Sequence, residues 1–125
     1  MSASSITVVK VRDVLLVAMP SDPDDSVITA LQEQAMRSMD QHEAKALILD
    51  ISAVETLDSF FARTISETAQ MVSLMGGRTI IAGMRPAVAV TATQLGLPLK
   101  RVETALTVER ALDMVSLGKR QGSAR

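Results

Sequence analysis

A chain of 125 residues, 47% hydrophobic and 22% charged, is long enough to bury one core and too short for two. Its net charge of -1 withholds the basic field that nucleic acid or an anionic membrane surface selects, so neither is expected as a partner. With no cysteine, disulfides, thiolate catalysis and cysteine metal sites are excluded together, which fits a reducing compartment.

The opening MSASSITVVKV shows no positive flank before an apolar stretch and no cleavage-like site after it. No apolar run approaches bilayer length, and a cytoplasmic protein without a signal peptide is the expectation. Eight Met against two Phe read as flexible filling of a core rather than as a Met-lined partner surface.

Residues 6–11 (ITVVKV) and 14–19 (VLLVAM) are apolar, β-branched runs split by Arg12 and Asp13, the pattern of a tight hairpin. The segment SDPDDSVITALQEQAMRSMDQH sets Ile28, Leu31, Ala35 and Met39 at helical spacing, with Pro23 and two aspartates in the position of a first turn. An amphipathic helix of about four turns follows. KALILDI (45–51) is unbroken and apolar, the mark of a central strand covered on both faces.

From Ser59 the period changes: Phe61, Ile65, Ala69 and Val72 form one stripe, with Arg63, Ser66, Glu67, Gln70 and Ser73 off it. Gly76 and Gly77 end this helix. RTIIAGM (78–84) is another buried strand, and Pro86 opens the helix PAVAVTATQLG, which Gly96 and Pro98 close. LKRVE (99–103) supplies a short edge strand at best. Thr107 caps a last helix carrying Val108, Ala111, Leu112 and Val115 on one face and ending at Gly118. The reading is one domain over 1–118 and a flexible tail over 119–125.

The fold class is α/β: an N-terminal β-hairpin, then alternating β/α units forming a mostly parallel sheet of about four to five strands with about four helices and right-handed crossovers.

Catalytic signatures are missing. The sole imidazole, His42, stands where the first helix ends and reads as a solvated side chain helped by the helix dipole. There is no G-x-S-x-G, no G-x-x-x-x-G-K-[ST] and no G-x-G-x-x-G, so hydrolase and nucleotide chemistry have no scaffold. No catalytic, cofactor-binding or metal-binding residue is predicted.

The informative stretch is VETLDSFF (54–61), which holds both aromatics of the chain. It joins the central strand to the second helix, at the carboxyl end of the strands, where open α/β sheets meet ligands and partners. Asp58 or Ser59 suits the N-cap. A phosphoryl group on Ser59 would add roughly 1.5 to 2 negative charges at the positive end of a helix dipole. The helix tolerates that charge, but a docked partner beside Asp58 meets repulsion and desolvation. On period alone Phe61 is the core residue and Phe60 the surface one; a wide buried face taking both remains open.

With ALILDIS followed by TLDSFFARTISETAQMVSLMGGRTIIAGMRPAVAVTATQLGL, the chain resembles the STAS domains of anti-sigma-factor antagonists, and among them the short stressosome antagonists of RsbS type. The likeness runs from Ile6 to Leu117 and is most specific over 57–97. It implies that Ser59 is the phosphoacceptor and that Asp58, Phe60, Thr56 and Arg63 adjoin it as phosphosite neighbours and docking residues. It further implies a scaffold without catalysis or cofactor. The implied partners are a serine/threonine switch kinase, a paralogous STAS protein with an N-terminal sensory domain, and a phosphatase that resets the serine. Assembly as a dimer and a large hetero-oligomer is implied too. Two other readings stay open: an anti-anti-sigma factor that binds its kinase one to one, and a STAS regulator that holds a small anion at the Ser59 loop.

Overall fold

A computed structural model describes residues 6–96 and 102–123, and it opens with the expected hairpin. Strands β1 (Thr7–Val11) and β2 (Val14–Ala18) run antiparallel, pairing Val11 with Val14. Arg12 turns the chain in the left-handed region, at φ 58°, an uncommon value for a side-chain-bearing residue that so short a link requires. Strands β3 (Ala46–Asp50), β4 (Arg78–Ala82) and β5 (Val102–Ala105) then add in parallel. The sheet has five strands in the order β1-β2-β3-β4-β5, with KALILDI at its centre. Of the expected edge strand LKRVE, Val102 and Glu103 pair with β4 and the strand continues to Ala105; Pro98 and the rest of that stretch fall in residues 97–101, which lie outside the described residues.

Strand side chains alternate between faces, and both faces are covered. Leu15, Val17, Leu47, Leu49 and Ile81 pack on one side with Ile28, Leu31, Phe61, Ile65 and Val88. These last come from helices α1 (Asp25–His42), α2 (Ser59–Leu74) and α3 (Pro86–Gln94). Val14, Ala46, Ile48, Ile80 and Ala82 pack on the other side with Ala111 and Val115 of helix α4 (Val108–Ser123). Burial on both sides is why β3 reads as an unbroken apolar run, and each large side chain so buried contributes about 1.5–3 kcal/mol.

Helix limits follow the capping chemistry. Asp24, in extended backbone at φ -84° and ψ 175°, accepts the Val27 N–H at 2.9 Å. Pro23 therefore precedes the helix and does not sit in its first turn: a carboxylate satisfies an orphan donor, whereas proline merely lacks one. The helix has 18 residues, about five turns where about four were expected. Its last residue, His42, is exposed. At the end of α2, Gly76 takes φ 90°. The Gly76 and Gly77 amides bond the Ser73 and Val72 carbonyls at 3.0 and 2.9 Å, the paired bonds that close a helix through a left-handed glycine.

The last helix starts as read, with the Thr107 hydroxyl accepting the Arg110 N–H at 3.1 Å. It does not end at Gly118 but continues to Ser123, so the expected tail from 119 begins inside it. A glycine costs a helix only about 1 kcal/mol against alanine, and Lys119, Arg120 and Gln121 beyond it are good helix formers with no proline to stop them.

Strand β5 is held laterally by a two-pronged ion pair. Arg78 Nε and Nη2 meet the Glu103 carboxylate at 2.9 and 2.7 Å. That bonding holds the Glu103 carboxyl below its usual range and raises the Arg78 guanidinium. Among the described residues no helix is long and apolar enough to cross a membrane.

Candidate functional site

The chain from the end of β3 to the start of α2 is pinned at alternating points. Asp50 Oδ1 accepts the Ser52 N–H at 3.0 Å and the Val54 N–H returns to the Ile51 carbonyl at 3.0 Å, a short turn closed by an aspartate in the usual way. Val54 and Leu57 are then buried, at 0% and 5% exposure, and the Glu55 amide reaches the Ser21 carbonyl at 3.3 Å. Thr56, Asp58 and Ser59 are left exposed. The result is an anchored loop with a polar crest.

Asp58 is the cap. Its backbone is extended, at φ -106° and ψ 177°, and its Oδ1 accepts the Phe61 N–H at 2.9 Å. Both Asp58 and Ser59 suit that role by residue type; the structure gives it to Asp58, which leaves Ser59 as the first residue of α2. The Ser59 hydroxyl therefore does not cap the helix. Among the described residues it has no hydrogen-bond partner.

The two aromatics divide as their period suggests. Phe61 is buried to 2% exposure within the core, while Phe60 is half-buried and rests against that core from its edge. Arg63, one turn after Ser59, is exposed. The buried face of α2 is wider than the four-residue stripe, because Ala62, Thr64 and Thr68 are buried as well. The two threonines manage this by donating to the Phe60 and Thr64 carbonyls at 2.8 and 2.7 Å. Thr68 also accepts from Gln32 Nε2 at 3.2 Å, which ties α2 to α1.

The neighbouring loop, after β4, braces the crest through residues that the sequence did not single out. Gly83 takes φ 78°, and a Cβ there would lie 2.8 Å from the Ser52 Cβ, so only glycine fits. Arg85 donates from Nε to the Ser52 carbonyl at 2.9 Å. A glycine directly after a buried strand was the available signal; Arg85 offered none, since its partner lies thirty-three positions away.

Topology places this crest away from the only imidazole. His42 ends the helix that precedes β3 and Ser59 opens the helix that follows it, so a strand of five residues, about 17 Å, lies between them. Ser59 thus has no histidine to activate it as a nucleophile. The strand order follows the sequence without reversing, so the sheet makes no switch-point crevice of the kind that holds cofactors in doubly wound folds. What the geometry offers is a protruding, accessible hydroxyl on a braced surface.

A family model described as the STAS domain matches residues 5–111. The chain belongs to the STAS family. It is 32% identical to RsbS of Moorella thermoacetica, covering 94% of this chain and 99% of that one with a TM-score of 0.83. A chain of the stressosome, described as a signal integration and transduction hub, matches at 32% identity and a TM-score of 0.78, covering 91% and 99%. The RsbT co-antagonist protein RsbRA of Bacillus subtilis is 31% identical over 98 residues, which take in 71% of this STAS chain and 36% of RsbRA. The chain thus spans little more than a third of that relative's length. The likeness to RsbS runs nearly end to end in both chains.

Proposed function

We propose that this STAS protein is a non-catalytic scaffold of a cytoplasmic stress-signalling complex, and that it holds a serine/threonine switch kinase until Ser59 is phosphorylated. The observation that carries the reading is the division of labour at the start of α2. Asp58 caps the helix, so Ser59 is exposed and its hydroxyl is free to accept a phosphoryl group without unmaking the fold.

The switch follows from charge. A phosphate on the first helical residue meets the positive helix end and stays within reach of Arg63 four residues on, so the scaffold itself is not strained. A partner docked over Thr56, Asp58 and Phe60 meets a new dianion beside an existing carboxylate. Reversing a complex from mostly bound to mostly free takes about 5.5 kcal/mol of differential affinity, and like charges forced together in a docked surface cost several kcal/mol. One modification is of the right size. The Moorella RsbS of the structural comparison carries a serine-to-glutamate replacement, a substitution that supplies part of the charge of a phosphoserine.

In the full cycle, a paralogous STAS protein with an N-terminal sensory domain shares the assembly and a phosphatase restores Ser59. Co-purification with the cognate kinase in the presence of ATP tests the reading: Ser59→Ala should retain the kinase and Ser59→Asp should release it. Equal retention by both variants refutes it. Sedimentation of the reconstituted mixture separates a large mixed shell, which the proposal requires, from a small one-to-one heterodimer.

A further inference from the structure

The face of the sheet that carries α4 holds a groove that the Ser59 switch does not use. It runs between the turn of the β1–β2 hairpin and α4, with a volume of about 310 Å³, at the small end of the range for sites that take small molecules. Val11, Val14, Leu112 and Val115 give it an apolar floor. Val14 and Val115 are buried, and Val11 and Leu112 half-buried. Val14 pairs with Ala46, the first residue of β3, so the groove opens at the amino end of the parallel strands. The Ser59 crest follows the carboxyl end of β3.

Two oppositely charged side chains rim that floor, Arg12 from the hairpin turn and Asp113 from α4. Both are exposed. Among the described residues neither is ion-paired; the salt bridge there is Arg78 with Glu103. Asp13 also lines the groove but is not free, and its carbonyl accepts the Lys45 N–H at 2.7 Å, which fixes the turn. Arg12 is the anomaly. It occupies the left-handed region at φ 58°, where tight hairpins ordinarily place asparagine, aspartate or glycine, so a long cationic side chain is held there against local preference. Backbone strain of that kind collects at ligand sites.

We propose that this groove binds a small aliphatic zwitterion, an α-amino acid of the leucine type. The ligand carboxylate meets the Arg12 guanidinium, whose planar fork suits a carboxylate. The ligand ammonium meets the Asp113 carboxylate, and the branched side chain lies on the valines and Leu112. A ligand with one charge leaves Arg12 or Asp113 unanswered, and one without an apolar chain leaves the floor in water. Because both ion pairs form at an open surface, each adds modestly, and burial of the apolar chain supplies the rest. The inference stands independently of the phosphorylation reading.

Amide NMR of the isotope-labelled full chain, titrated with L-leucine to about 10 mM, tests it. Saturable shifts confined to residues 11–14 and 112–116 are expected. Isocaproate, which lacks the amine, and isoamylamine, which lacks the carboxylate, should each bind about fivefold more weakly than leucine, and glycine should not bind measurably. Arg12→Gln should weaken leucine about fivefold and leave isoamylamine unchanged, whereas Asp113→Asn should weaken leucine equally and leave isocaproate unchanged. The same spectra show that each variant keeps its fold, as substitutions at exposed positions should. Absence of a saturable shift overturns the proposal, as do shifts centred elsewhere. So does binding of isocaproate, isoamylamine or glycine as tight as that of leucine, or variants that bind leucine unchanged.

Discussion

Two helix starts in this molecule are capped alike and continue differently. α1 and α2 both begin after an aspartate in extended backbone, and in both the carboxylate accepts the amide three residues on at 2.9 Å. At α1 the next residue is Asp25, which already places a negative charge in the first turn, and the Ser26 hydroxyl is spent on Asp24 Oδ1 at 2.7 Å. At α2 the first turn carries no acid and its serine hydroxyl is unspent. Capping is thus common to both starts, and the residue after the cap distinguishes a closed helix end from one able to take on charge.

Substitutions can break this comparison at graded cost. Phe61→Ala removes the buried side chain that seats α2 and should destabilise the fold by about 3–5 kcal/mol in urea unfolding. The half-buried Phe60 should cost far less. Asp58→Ala should cost about 1 kcal/mol and Asp58→Asn less, because asparagine caps nearly as well; equal losses would mean that charge, not the hydrogen bond, does the work. Ser59→Ala should stay within about 0.5 kcal/mol of the unaltered chain, since its hydroxyl holds nothing.

The smallest effect belongs to α1. The bond from the Ser26 hydroxyl, and then the Val27 amide, hold the Asp24 carboxyl below its ordinary 3.8. Because the folded value is the lower one, this contribution to stability is complete above the unfolded value and drains away as pH falls through the folded value. Ser26→Ala should return the Asp24 titration toward 3.8 in a carboxyl NMR experiment, and an unmoved titration would assign the shift to the backbone alone.

Much of this was legible before any coordinates. The element order, the central strand and the burial of Phe61 all follow from period and run length, because burial on one face or two writes itself directly into residue spacing; the place of Phe60, half-buried against the core, was left open by the period. The choice between Asp58 and Ser59 did not follow, since adjacent residues of two good capping types differ only in backbone conformation. Gly118 misled for a related reason: glycine stops a helix where the chain turns left-handed, and nothing local requires that turn there. The brace from Arg85 to Ser52 and the gathering of α1, α2 and α3 on one face depend on which strands become neighbours, a long-range outcome that local pattern does not encode.

The central claim is that Ser59 is the residue on which the scaffold is switched. Incubation of the full chain with its cognate kinase and ATP, followed by site mapping by tandem mass spectrometry, tests it most directly. A single phosphoryl group on Ser59, absent from the Ser59→Ala chain, is the predicted result. Phosphate carried by another residue, with Ser59 unmodified, would contradict it.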